Sequence, residues 1–345
     1  MGNFLPQLLR IFDDCEKIEI TCIDISNEII KNLIKNLKNL KYQKDKFIFH
    51  FVVKDFLSFS MQHYDYIIGN PPYFKTLKSQ YNSINMFTNF LEHSYKKCDE
   101  LLFIIPKTFL MADSYFELRK KYESYYYIKN ITDNGIHAFE KVFIETISIH
   151  FTKLVTTTNI NILNITYNEI LPINYIYHDK VWLIYRNEWF DNFIKEIALD
   201  FFIPYRDRQI SNKLLETENG KIKYELLNQK KILNSSEFVH IHNYDKYISK
   251  ENLNSIAIKK FINQKEILIP NFTYNIKAGW LPENAIPNGS LVVMKPKYEI
   301  NNKNIDLSFF STENYHKYYK IIKNNSKFTI NIDKCTTYYI GPKKD

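Results

Sequence analysis

The stretch Tyr64-Asp65-Tyr66-Ile67-Ile68-Gly69-Asn70-Pro71-Pro72-Tyr73 is a short run of strand type that stops on a rigid turn. Each proline holds φ near about −65° and removes an amide donor, and the residue before a proline is pushed out of helical geometry. The predicted result is a strand end whose carbonyl oxygens point outward with no neighbouring N–H to occupy them. Asn70 adds a side-chain amide oxygen at the same place. Two converging acceptors suit an exocyclic amino group, and Tyr73 offers a flat face for the ring that bears it. Asn-Pro and Pro-Pro are also ordinary loop punctuation, so the residues upstream have to distinguish the two readings.

Two more apolar runs precede the turn. Ile18-Glu-Ile-Thr-Cys-Ile23 ends at Asp24, and Phe47-Ile-Phe-His-Phe-Val-Val53 ends at Asp55-Phe56. Between them Ser26 is placed to cap a helix in which Ile29, Ile30, Leu33, Ile34, Leu37 and Leu40 recur at helical spacing. Three successive strands therefore carry a polar or acidic group at their carboxyl ends, the edge where open α/β sheets bind ligands. Asp24 is positioned to accept hydrogen bonds from ribose hydroxyls, and Asp55-Phe56 pairs an acceptor with a stacking face for adenine. Singly, each aspartate reads more readily as a helix cap or loop carboxylate. In this order before the ledge, they favour a nucleoside ligand.

With these residues in place the chain resembles the S-adenosylmethionine-dependent amino-methyltransferases of DNA, in the order where cofactor motifs precede the catalytic one. Asn70, Pro71, Pro72 and Tyr73 match the family's catalytic motif. Asp24 with Ile25 matches its ribose ligand and Asp55-Phe56 its adenine pair. Asn85-Met-Phe-Thr-Asn-Phe90 resembles the helix lining the cofactor adenine, Leu101 to Lys107 its fifth strand, and Phe139 to Thr146 the segment whose leading phenylalanine supports a flipped base. The resemblance runs over about residues 2–151. It implies a Rossmann-like α/β methyltransferase sheet, S-adenosyl-L-methionine as cofactor, and methyl transfer to N6 of adenine, as in the modification enzyme of a restriction-modification system. Met1-Gly2-Asn3-Phe4-Leu5 looks like the tail of the family's first motif, which puts Gly2 and Phe4 beside the cofactor. The first strand and its glycines are missing from this reading. The expectation is a truncated start, or an upstream polypeptide that completes the motif.

The 345 residues suit two domains. These are expected at 1–154, the methyltransferase part, and 160–345, a mixed α+β target-recognition part. Glu145 to Phe151 reads as the last strand of the first, and Thr156 to Asn159 as the linker. A net charge of +8 favours a polyanionic partner, here double-stranded DNA. Aromatic residues reach 16%, a figure raised by an Asn-, Lys-, Ile- and Tyr-rich composition and discounted accordingly. Lysines and aromatics interleave in the second part. Arg206, Arg208, Lys277, Trp280, Lys295 and Lys297 are the candidate DNA contacts, with a basic surface over an aromatic core as the plainer reading. The four cysteines form no Cys-x-x-Cys pair, so neither a disulfide framework nor a metal site is expected, and a reducing cytoplasm fits them. No apolar run approaches the length of a membrane span. A cognate restriction endonuclease is a further partner that the resemblance implies. Two alternatives stay open: a DNA-binding fragment without catalysis, and a methyltransferase acting on a protein glutamine amide.

Overall fold

The computed structural model describes residues 4–75, 85–136, 139, 144–154, 158–164, 166–216, 223–241, 245–271, 273, 275–297, 305–327 and 332–344. The chain divides into two compact units, Met1–Ile67 with Pro72–Asp99, and Ile68–Pro71 with Glu100–Asp345.

The first unit contains α1 (Leu5–Ile11), β1 (Ile18–Asp24), α2 (Asn27–Lys38), β2 (Phe47–Val53), most of β3 (Tyr64–Gly69) and α3 (Met86–Ser94). Ser26 caps α2 as its position predicts, its Oγ accepting from the Ile29 amide at 3.3 Å. Ile30, Leu33 and Leu37 form the buried stripe of that helix. β1 and β2 pair in parallel from Ile18 against Phe47 to Asp24 against Val53. Period two therefore puts Ile18, Ile20, Cys22, Phe47, Phe49 and Phe51 on one face, packed with Leu5, Leu9, Leu33 and Leu37. The strands expected over 18–23, 47–53 and 64–68 are all present. Among the described residues β1 and β2 form a sheet of two strands, and the other edge of β1 carries no strand.

The second unit continues with β4 (Cys98–Pro106), α4 (Phe116–Glu123), β5 (Tyr127–Gly135), β6 (Thr146–Thr152), β7 (Asn159–Leu163) and β8 (Asn168–Pro172). The strand order is β3-β4-β6-β5-β7-β8. β6 is antiparallel to both β4 and β5, so those two run the same way; β7 joins β5 in parallel and β8 closes antiparallel. The carboxyl ends of β4 and β5 and the start of β6 thus share one edge. The fold is α/β, as expected. Leu101, Phe103, Ile105, Ile147, Ile149 and Phe151 are fully buried on one face, where Phe151 meets Tyr122 and Trp182. Each such side chain contributes about 1.5–3 kcal/mol. Two features differ from the sequence reading. β5 was not foreseen, and the sheet does not end at β6. Asn159, expected as the last linker residue, opens β7; residues 156 and 157 lie outside the described set.

Beyond the sheet lie α5 (Ile173–Ile176), β9 (Tyr177–His178), β10 (Val181–Trp182), α6 (Glu188–Phe193), β11 (Phe202–Tyr205), β12 (Leu215–Glu216), β13 (Lys223–Leu227), β14 (Lys246–Ser249), α7 (Lys250–Asn254), β15 (Ile267–Pro270), β16 (Gly279–Trp280), β17 (Ala285–Pro287), β18 (Leu291–Pro296), α8 (Glu313–Ile322) and α9 (Lys334–Thr337). Two four-stranded sheets, β11-β18-β15-β16 and β12-β14-β13-β17, enclose a core that includes Leu226, Ile248, Leu268, Ile286 and Val293. The turn signal Asn288-Gly289 connects β17 to β18, and the Leu291 amide donates to the Asn288 carbonyl at 3.0 Å. A Cβ on Gly289 would lie 2.7 Å from the Asp207 carbonyl oxygen, which explains the glycine.

Lys323, just past α8, is buried with its Nζ donating to the Thr273 carbonyl at 3.1 Å. Burial pulls its pKa down to about 8, with Glu145 acting against the shift. A base whose folded pKa is depressed weakens the fold while it stays protonated, and that cost is relieved as pH rises from the folded value toward the unfolded one. Relative to Lys323→Met, the native chain is expected to gain roughly 2–3 kcal/mol between about pH 8 and pH 10.5. Urea unfolding of both proteins across that range checks it; parallel pH profiles would exclude a buried ammonium.

Candidate active site

In the first unit the structure gathers the residues expected to hold a nucleoside. Asp24 ends β1, and Asp55 follows β2 two residues after the register partner of Asp24, so both sit at the carboxyl edge of the parallel pair. Each carboxylate caps its own turn: Asp24 Oδ1 accepts from the Ser26 amide at 2.8 Å, and Asp55 Oδ1 accepts from the Leu57 amide at 3.0 Å. The plainer reading of each is therefore realised through one oxygen, while Oδ2 of each keeps lone pairs for ribose hydroxyls or an amine. Asp55 is exposed, and Ile25 is 73% exposed at the same edge. Phe56 and Phe90 come together from distant sequence positions, stacked with centroids 4.6 Å apart at 18°. His93 meets Phe56 edge-on at 5.2 Å, and its Nε2 lies 2.9 Å from the Phe59 carbonyl oxygen. At 4.6 Å the two phenyl rings touch each other and leave no room for a third ring between them. Any further ring that stacks here lies against this plate rather than within it. Phe4 is exposed at the start of α1, and Gly2 lies outside the described residues. The acceptors and aromatic faces fit the adenosine part of S-adenosylmethionine; among the described residues no side chain is assigned to its methionine part.

Tyr73 is half-buried, with its ring edge-on to Phe87 at 6.5 Å and 88°. Burial raises its pKa, so the phenol stays neutral at ordinary pH. Pro72 is half-buried beside it. In the second unit Asn70 is exposed immediately after β3 and Pro71 is buried. Gly69 precedes them against Phe103, where a Cβ would lie 3.1 Å from the ring. Phe139 is half-buried in the connection between β5 and β6, most of which is outside the described residues. The thiols of Cys22 and Cys335 are pushed up by burial to about 11 and about 12, so neither supplies a thiolate nucleophile.

Sequence reasoning passed over Asn89, on α3 directly before Phe90. It is 1% exposed, and neither Nδ2 nor Oδ1 has a hydrogen-bond partner among the described residues. A buried amide left unpaired costs about 1–3 kcal/mol. Asn89→Leu is expected to stabilise the chain by about 1–2 kcal/mol, read as a higher urea midpoint at unchanged slope. A lower midpoint would mean that bound water satisfies the amide.

The candidate DNA contacts divide. Arg206 is half-buried and committed in part, its Nε donating to the Gly289 carbonyl at 2.6 Å. Arg208 and Lys295 are exposed, and Lys295 stands across from exposed Ile203 on β11. Lys297 pairs with Asp200 at 2.6 Å, and Lys277 is half-buried. Lys265 lies over the half-buried Trp280 ring at 5.1 Å, and Lys260, which the sequence did not single out, lies over Tyr205 at 4.1 Å. Tyr318 and Tyr319 in the 316–320 patch are buried, which is the basic surface over an aromatic core. Glu225, His240 and Asp245 converge closely enough to hold a metal ion, but Lys231 Nζ already pairs with both carboxylates there, 2.6 Å from Asp245. No helix of the described residues is long and apolar enough to cross a membrane.

Residues 9–143 match the model of the Eco57I restriction-modification methylase family. No curated protein matches the chain significantly. Among solved structures, the type IIL restriction-modification enzyme MmeI in complex with DNA aligns over 90% of this chain and 52% of its own, at 9% identity and a TM-score of 0.56. A class I S-adenosylmethionine-dependent methyltransferase from Listeria monocytogenes aligns over 48% of this chain and 56% of its own, at 13% identity and a TM-score of 0.39. The methyltransferase subunit of a type I restriction-modification system from Streptococcus thermophilus aligns over 47% of this chain and 40% of its own, at 15% identity and 0.39. The chain thus spans about half the length of these structures, covering 56%, 40% and 52% of them. The MmeI alignment shows a shared fold across most of the chain. Over residues 9–143, where three strands deliver Asp24, Asp55 and Asn70 in turn, the chain is similar to the Eco57I restriction-modification methylases.

Proposed function

We propose that the chain transfers a methyl group from S-adenosylmethionine to N6 of adenine in double-stranded DNA, as the modification activity of a restriction-modification system. One observation carries the reading: Asn70-Pro71-Pro72-Tyr73 begins directly where β3 ends, with Asn70 exposed and the proline behind it buried. When bound, S-adenosylmethionine supplies an electrophilic methyl group. The rest is done by the chain. The target amine is buried in the base stack, so the base must be flipped out at a cost of a few kcal/mol. Binding to the 160–345 part, through residues such as Arg208 and Lys295, offsets that cost. Tyr73 stacks on the extruded ring and Phe139 supports its other side. The Asn70 side-chain oxygen and the Pro71 carbonyl accept the two N6 hydrogens, which draws the nitrogen lone pair out of conjugation. These fixed acceptors also stabilise the positive charge that develops on nitrogen as its bond to the methyl carbon forms and the sulfur–methyl bond breaks. The donor would leave as a neutral thioether, and the methylated nitrogen then loses one of its two protons to water. Asp24 and Asp55 hold the ribose and adenine of the donor, and Phe56 with Phe90 forms its stacking plate.

The test is to incubate unmethylated bacteriophage DNA with the chain and S-adenosylmethionine, then analyse the nucleosides by mass spectrometry. N6-methyladenine is the expected product; methylcytosine alone, or methylation only of an added protein, would defeat the reading. A related proposal rests on the open edge of β1. Two-stranded sheets are marginal alone, and β1 keeps Ile20, Cys22 and Ile23 only half-buried. A strand supplied by a partner polypeptide would pair with this edge, which carries no strand among the described residues. Calorimetry should then show S-adenosylmethionine binding tightened when a partner polypeptide that pairs with β1 is supplied. A cognate restriction endonuclease acting on the unmodified site completes the system.

A further inference from the structure

Lys107, the residue after β4, is 2% exposed and plays no part in the mechanism above. Its Nζ lies 2.6 Å from Asp133 Oδ2 and 3.9 Å from Glu145 Oε1, and its backbone amide donates to the Glu145 carbonyl at 2.9 Å. These two carboxylates stand on either side of the connection that carries Phe139: Asp133 lies near the end of β5, and Glu145 directly precedes β6. Both are gripped again from elsewhere. Asp133 Oδ1 accepts from the Gly135 amide at 3.0 Å, where φ is +57°, and Oδ2 accepts from the Tyr185 hydroxyl at 2.7 Å. Asn164 Nδ2 donates to that same hydroxyl at 2.7 Å. Glu145 Oε1 accepts from the Lys327 amide at 2.9 Å, and its other oxygen takes the Ser326 hydroxyl. Lys323 is the further cation that acts on Glu145.

A buried ion pair is a poor source of net stability, since two well-packed apolar residues do as well or better. What it does supply is a fixed position, because a buried carboxylate without its cation is strongly disfavoured. We infer that Lys107 is a positioning residue for the Phe139 connection: it clamps both stems, so that the aromatic ring supporting the flipped adenine is held in place before DNA binds. The inference rests on the proposed function for the role of Phe139, while the clamp itself is a property of the free chain. Misplacement of a reacting group by about 1 Å costs on the order of 10²-fold in rate, so the clamp acts on turnover rather than on donor binding.

The experiment compares the native chain with Lys107→Met/Asp133→Asn, which removes the 2.6 Å ion pair and leaves Glu145 facing Lys323, and with Lys107→Arg, which keeps a cation. Amide hydrogen exchange is followed over the two stems, residues 133–136 and 144–146, and turnover is measured on unmethylated bacteriophage DNA with tritiated S-adenosylmethionine. The expected result for the double variant is exchange at least about 10-fold faster in those stems, with β4 and the rest of β6 still protected. Its kcat should fall about 10- to 100-fold at unchanged KM for S-adenosylmethionine, with most of the loss recovered in Lys107→Arg. Unchanged exchange overturns the clamp. Faster exchange with native kcat overturns its role in the reaction. A native chain that binds DNA but transfers no methyl group overturns the proposed function and this inference with it, and the exchange data then report on the clamp alone.

Discussion

Asn70→Ala is expected to lower methyl transfer by on the order of 10²–10³-fold while leaving DNA binding and S-adenosylmethionine binding within about twofold. The side chain is exposed at the end of β3, outside the packed core, so its removal opens no cavity. In the proposed mechanism, what is lost is one of the two oxygens that face the positive charge developing on the target nitrogen. Asn70→Asp keeps an acceptor and loses only the amide donors, so it should retain a measurable fraction of the activity. Single-turnover methylation beside a filter-binding assay separates the two effects. Native turnover in Asn70→Ala would remove the ledge from the chemistry.

Arg119→Met is expected to destabilise the second unit by about 3–5 kcal/mol. Arg119 is 1% exposed, and burial lowers its pKa. Its Nη1 donates to the carbonyls of Phe109 at 2.7 Å and Ala112 at 2.9 Å, and its Nη2 donates to that of Lys180 at 2.6 Å. One guanidinium therefore holds the segment after β4, the one that begins with Lys107, against the turn between β9 and β10. Methionine fills the same space but takes the guanidinium donor away from all three carbonyls, of which that of Ala112 keeps the Tyr115 amide at 3.2 Å. Lysine keeps the charge, but a single ammonium does not span the same three oxygens, so Arg119→Lys should recover only part of the loss. The urea midpoint of each variant checks this; a loss below about 1 kcal/mol would show that water replaces the arginine.

The parts of the fold that local chemistry controls were readable from the chain. Ser26 caps α2, the apolar runs at 18–23, 47–53 and 64–68 are strands, and Asn288-Gly289 turns the chain between β17 and β18. In each case the deciding interactions lie within a few residues. The strands β7 and β8 were not legible because the segment around them, rich in Asn and Thr, carries turn signals. Pairing with β5 overrides that local preference. The lysine- and tyrosine-rich patch at 316–320 likewise reads as surface until packing buries Tyr318 and Tyr319.

The candidate site shows the same division. Asp24, Asp55 and the Asn-Pro-Pro-Tyr turn could be placed at strand ends from sequence, because a strand's end is marked by its own residues. The contact of Phe56 with Phe90, the unpaired amide of Asn89 and the joining of Lys107 to Asp133 and Glu145 could not. A lysine in sequence is a solvated cation by default. It becomes a clamp only when neighbouring strands exclude water around it and bring two carboxylates from across the sheet within reach.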